Sequence, residues 1–137
     1  MLSGMLAAWS ARQCDVLLVA ADREKRSLLL AELQEAGFDV VSMPGLRYAL
    51  RALFPQRVRP RLILLDEDGD PDATPGYVEQ IPRLVPGVPL LVIAGAFGMA
   101  AWQPMQDRDV EILRRPLTVG NVVEAVRRRL GGECGEG

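Results

Sequence analysis

The chain contains no histidine in its 137 residues. That removes the commonest general base near neutral pH, the commonest zinc ligand, and any role as a phosphohistidine carrier. It also leaves no Ser/His/Asp or Cys/His catalytic set. Only two cysteines occur, Cys14 and Cys134, near opposite ends and the second in a glycine-rich stretch. Two thiols so placed make no disulfide framework and fit reduced groups in a cytosolic protein. The formal net charge of −2 is too near neutral for bulk electrostatics to draw the chain to nucleic acid or a membrane. There is no G-x-G-x-x-G, no P-loop, and no apolar stretch long enough to span a bilayer. What is present is ordinary: 49% hydrophobic and 25% charged residues, in a length that suits one domain with a real core.

Met1 to Trp9 is apolar but has no basic flank, so a signal peptide is not expected. Leu2, Met5, Leu6 and Trp9 fall on one helical face, which suits docking on the domain or on a partner; a frayed extension is the alternative. The expected organisation is an extension over 1–13, one domain over 14–131 and a flexible tail over 132–137.

Apolar runs alternate with helical patterns, which predicts a parallel sheet covered by helices on both faces. Strands are expected at Asp15–Ala20, Phe38–Ser42, Leu62–Leu65, Pro89–Ala94 and Val110–Leu113. Asp22 caps a first helix that carries Leu28, Leu29, Ala31, Leu33 and Ala36, and Gly37 closes it. Pro44 opens a second helix with Leu46, Leu50, Leu53 and Phe54, ended by Pro55. Thr74-Pro75 starts a third that reaches about Val85, with Pro82 inside it to shorten or kink it. Gly98 and Pro104 predict a short or irregular fourth helix, and Thr118 caps a fifth that stops at Gly131-Gly132. The third strand ends on a carboxylate, Asp66, which is how an α/β protein presents an acid to the cleft at the C-terminal ends of its strands.

Five βα units, an aspartate ending the third strand and a basic residue before proline after the fifth resemble the receiver domain of bacterial response regulators. The likeness rests on Val16-Leu17-Leu18-Val19, on Pro60-Arg61-Leu62-Ile63-Leu64-Leu65-Asp66 and on Arg114-Arg115-Pro116-Leu117, and covers roughly Cys14 to Gly131. It implies a doubly wound (βα)5 fold in three αβα layers, with the flavodoxin-like strand order 2-1-3-4-5. It also implies roles for particular positions. The phosphoacceptor position is Asp66. The acidic pair that holds Mg²⁺ in receivers falls on Ala20 and Ala21. The hydroxyl residue ending the fourth strand falls on Ala94, the lysine before proline on Arg115, and the aromatic switch of the fifth strand on Ile112.

These replacements have a chemical cost. Phosphoryl transfer relies on positioning and on neutralising charge at the equatorial oxygens, much of it supplied by a divalent cation. Methyl groups at 20 and 21 leave a poor Mg²⁺ site, Ala94 offers no hydroxyl, and Ile112 has no ring to swing. Binding of Mg²⁺ is therefore expected to be weak or absent. Arg115 has two orientations open to it: into the cleft, pairing with Asp66 through a forked contact, or out into solvent.

The expectation that follows is a degenerate pseudo-receiver, cytoplasmic and without enzymatic activity, that signals by protein–protein contact, with a homodimer possible. Any output then passes through another chain. One alternative is a residual phosphoacceptor, phosphorylated on Asp66 by a histidine kinase. Another is a small ligand or nucleotide held at the sheet's C-terminal cleft, although Ala20-Ala21-Asp22-Arg23-Glu24-Lys25 lacks the donors of a phosphate loop. The acidic loop Asp66 to Asp72 makes a poor calcium site, because Ala73 stands where a glycine is needed and Pro75 interrupts it. Arg127-Arg128-Arg129 reads as a solvent face or a helix C-terminus, not a nucleic-acid site. A partner surface is expected near Phe97, Trp102 and Ile112, with Trp102 substantially exposed.

Overall fold

The computed structural model describes residues 11–95 and 98–134. Five parallel strands form one sheet in the order 2-1-3-4-5. They are β1 (Arg12–Ala20), β2 (Val40–Met43), β3 (Val58–Asp66), β4 (Leu90–Ala94) and β5 (Val110–Arg114). The helices are α1 (Arg23–Glu35), α2 (Leu46–Leu53), α3 (Pro75–Val78), α4 (Ile81–Leu84), α5 (Met99–Trp102) and α6 (Val119–Cys134). The fold class and strand order expected from the sequence are those observed.

Side chains alternate across the sheet and supply two cores. On one face Leu17, Val19, Ile63, Leu65, Leu90 and Val92 pack with residues of α2 to α5. On the other, Val16, Leu18, Leu62, Leu64, Leu91 and Ile93 pack under α1 and α6. All twelve side chains are essentially inaccessible to water, and their transfer out of water is the main term holding the sheet between its helices.

The helix boundaries have local causes. Asp22 accepts a hydrogen bond from the Lys25 N–H and starts α1, and Gly37, at φ +100°, lets the chain turn after it. Leu29 and Leu33 are the buried positions of α1; Leu28 and Ala31 face solvent. In α2, Leu46 and Leu53 are buried, whereas Phe54 lies beyond the helix and is exposed. Pro82 divides the third helical pattern into two single turns, α3 and α4. Thr118 and Asn121 cap α6 reciprocally: each side-chain oxygen accepts from the other residue's backbone N–H.

Several limits differ from expectation. β1 and β3 both start earlier, and Arg12 pairs with Val58 and Cys14 with Pro60. Val58 and Pro60 are buried while Arg59 and Arg61 are exposed, so this end of β3 has one wet face. α6 runs through Gly131-Gly132 to Cys134, since a helical glycine is a modest cost and not a stop by itself. The apolar stripe of Leu2, Met5, Leu6 and Trp9 lies outside the described residues.

Candidate functional site

Register brings the site together at the C-terminal edge of the sheet. Ala20 lies opposite Asp66, Asp66 opposite Ile93, and Ala94 opposite Arg114. Asp66 is 2% exposed and is the one buried charged residue among those described. Its Oδ1 accepts from the backbone N–H of Asp68 at 3.0 Å and from Nη2 of Arg115. Arg115 therefore turns inward from the residue after β5, though through a single nitrogen and not a fork. A guanidinium and a backbone N–H thus both engage one oxygen of this buried side chain.

The remaining cations and anions around the cleft are also paired off. Lys25 forms an ion pair with Asp68, and that hydrogen bond is the main reason the Asp68 carboxyl lies below the ordinary aspartate range. Arg26 donates to the carbonyl oxygens of Ala20 at 2.8 Å and Ala21 at 3.4 Å. A guanidinium thus covers the end of β1, where the side chains are methyls. Asp70 accepts from the N–H of Leu46 at 2.7 Å and from that of Asp72 at 3.0 Å. The acidic loop accordingly spends its oxygens on backbone donors and cations. Among the described residues no three Asp, Glu or Cys side chains converge as metal ligands.

A cleft of about 180 Å³ opens beside Asp66 and Arg115. Lys25 and Thr118 are at its polar side, and Leu29, Ile93, Leu117 and Val122 are among its apolar walls. It lies between α1 and α6. Among the described residues no helix is long and apolar enough to cross a membrane.

Two expectations about a partner surface are corrected. Trp102 is 1% exposed, not solvent-accessible. Its ring packs with the core on the α2 to α5 side, and its indole N–H has a partner that sequence could not reveal: Glu67 Oε1 at 2.8 Å. Ile112 is likewise buried, at 8% exposure, because its side chain faces the same core from β5. Phe97 lies outside the described residues. Large apolar side chains that do face water are Leu28, Tyr48, Phe54 and Tyr77.

Glu67 is the functional candidate that sequence reasoning missed. It reads as one more acid in a polar loop, yet its second oxygen, Oε2, accepts from the Gly95 N–H at 2.6 Å. The nearest sequence signal is the pair Gly95 and Gly98. A Cβ at either would come within 3.2 Å of Glu67 Oε2 and would crowd the carboxylate where it sits.

No family model matches the chain, and no curated protein matches it. Solved structures do. A response regulator receiver protein from Sinorhizobium medicae WSM419 superposes with a TM-score of 0.71 at 21% identity, over 88% of this chain and 95% of that one. A response regulator receiver domain protein from Clostridium thermocellum gives 0.74 at 14% identity, over 89% and 96%. The receiver domain of NtrX from Brucella abortus gives 0.71 at 21% identity, over 85% and 98%. The chain has the receiver-domain fold of response regulators.

Proposed function

We propose that this chain is a receiver-like signalling module that works through contact with another protein, without Mg²⁺-dependent phosphorylation of Asp66 and without turnover of a substrate. The observation that carries the reading is the engagement of Asp66 by Arg115 at a strand end where Ala20 and Ile93, neither with a polar side chain, lie opposite it. A phosphoacceptor needs the incoming charge neutralised by cations that are free to receive it. Here the cation nearest the carboxylate is already bonded to it. Arg26 covers the end of β1, and Ala94 supplies no hydroxyl. Solved proteins that share the fold include ones named as response regulator receivers, which supports a place in signalling.

A nucleotide or other small ligand in the cleft has less support. At about 180 Å³ the cleft is smaller than the usual range for such sites, roughly 300 to 1,000 Å³. Its two cations are bonded to Asp66 and Asp68.

The test is intact-mass measurement after incubation with Mg²⁺ and acetyl phosphate. Wild type is expected to keep its mass. A stable gain that disappears in Asp66→Asn would refute the proposal. An Ala20→Asp/Ala21→Asp variant is expected to gain measurable Mg²⁺ affinity.

A further inference from the structure

We propose that the carboxylate of Glu67 is a built-in anionic ligand for the segment that follows β4, holding Gly95 and the helical stretch Gly98–Met105 in one state. The proposal rests on the phosphorylation-independent reading, and says how the face beyond β4 is set when nothing is added at Asp66.

The geometry is that of a made-to-measure anion site. One carboxylate oxygen takes the Gly95 backbone N–H at 2.6 Å and the other takes the Trp102 indole N–H at 2.8 Å. The two donors lie on either side of the turn into α5, so a single side chain ties its start to its end. Gly95 and Gly98 give the space, since a side chain at either would crowd Oε2 at 3.2 Å. The base of the ligand is fixed as well: the Glu67 N–H donates to the Ile93 carbonyl at 3.2 Å, anchoring it on β4. Hydrogen bonds to a charged acceptor are stronger than neutral ones, and both are partly shielded from water.

Besides these bonds the segment is held by Met99 and Met105, which pack partly buried against the core, and by Gln106, which accepts from the Ile112 N–H at 3.2 Å. α5 is one turn, followed by one 3₁₀ turn at Gln103–Met105, and neither has a side-chain cap at its start. Of its side chains only Trp102 is buried. A short helix of this kind does not persist on its own propensity. Asp66, one residue earlier, engages Arg115 on the α1 and α6 side. The two consecutive acids therefore serve different faces of the sheet.

Hydrogen exchange of the full chain, read by mass spectrometry and by the amide and indole resonances, tests this. In Glu67→Ala, exchange over 98–106 is expected to rise about tenfold or more, with peptides from β1 and β3 unchanged. Formate at tens of millimolar is expected to restore part of the lost protection in that variant, and chloride is not. Glu67→Gln is expected to fall between, because an amide oxygen accepts from one donor while its NH₂ opposes the other. If Glu67→Ala does not fold, Glu67→Gln and Trp102→Phe carry the test. In the latter, 98–106 loosens while the Gly95 amide stays protected. Variants that exchange like wild type, a Gln variant equal to Glu, or no response to formate would overturn the proposal. A phosphorylated wild type would refute the reading of Asp66 and would leave these exchange results to stand or fall separately.

Discussion

Arg115 reaches from the residue after β5 to the carboxylate of Asp66 at the end of β3, across the β4 strand that separates them. The acid's side chain is 3% exposed and the arginine's 27%, so the contact is shielded mainly on the acid's side. Removing the arginine strands a buried charge, whereas removing both partners does not.

Arg115→Ala is expected to destabilise the chain by about 1 to 3 kcal/mol, reduced from the fully buried case by the arginine's exposure. Urea denaturation of the single variants Arg115→Ala and Asp66→Asn and of the double variant measures it. The double variant is expected to lose less than the sum of the singles. Strict additivity would mean that the pair contributes nothing.

The two leucine-rich faces of α1 and the sheet should respond very differently to truncation. Leu64 is fully buried between the sheet and the α1/α6 layer, and Leu64→Ala is expected to cost about 2 to 5 kcal/mol. Leu28 is 51% exposed on α1, and Leu28→Ala is expected to stay within about 0.5 kcal/mol. Thermal and denaturant midpoints compare the two directly.

Cys14 is 5% exposed on β1, and burial pushes its thiol up to about 11. At pH 8 only about one molecule in a thousand then carries the thiolate, so alkylation of this residue in the folded chain should be very slow. Peptide mapping after iodoacetamide treatment, with and without denaturant, checks this. The folded state holds this proton more tightly than the unfolded chain does. Cys14 is therefore neutral to stability below the unfolded thiol's value, and its contribution turns unfavourable as pH rises from there towards 11.

The Asp68 carboxyl is lowered mainly by its hydrogen bond to Lys25. A lowered carboxyl contributes stability above its unfolded value, and that contribution is lost as pH falls through the lowered one. In Lys25→Ala the Asp68 value is expected to return towards the ordinary range, as followed by carbon-detected NMR titration. Because both side chains are more than a third exposed, salt should shrink the shift in wild type. A shift indifferent to Lys25 would assign it to another cause.

The sheet was readable because buried parallel strands are continuous apolar runs, and Leu62 to Leu65 or Leu90 to Ile93 admit no other role in this order. Pro82 was readable for the same kind of reason, as a local effect of one ring. Trp102 was not. Its position in a glycine- and proline-containing stretch suggested bulk left outside the core, and nothing in the sequence said that Glu67, thirty-five positions earlier, would satisfy its indole N–H. The direction of Arg115 was open for a related reason. It sits just past β5, where strand alternation no longer fixes a side chain. The early start of β1 and β3 went unseen because arginines alternate there with Val58 and Pro60, and the wet positions hid the buried ones.

Asp66 and Glu67 are neighbours in sequence and strangers in space, one answering to α1 and α6, the other to α5. A sheet edge that splits adjacent acids in this way makes their histories separable. A substitution at Asp66 would leave the two hydrogen bonds of Glu67 on the opposite face in place.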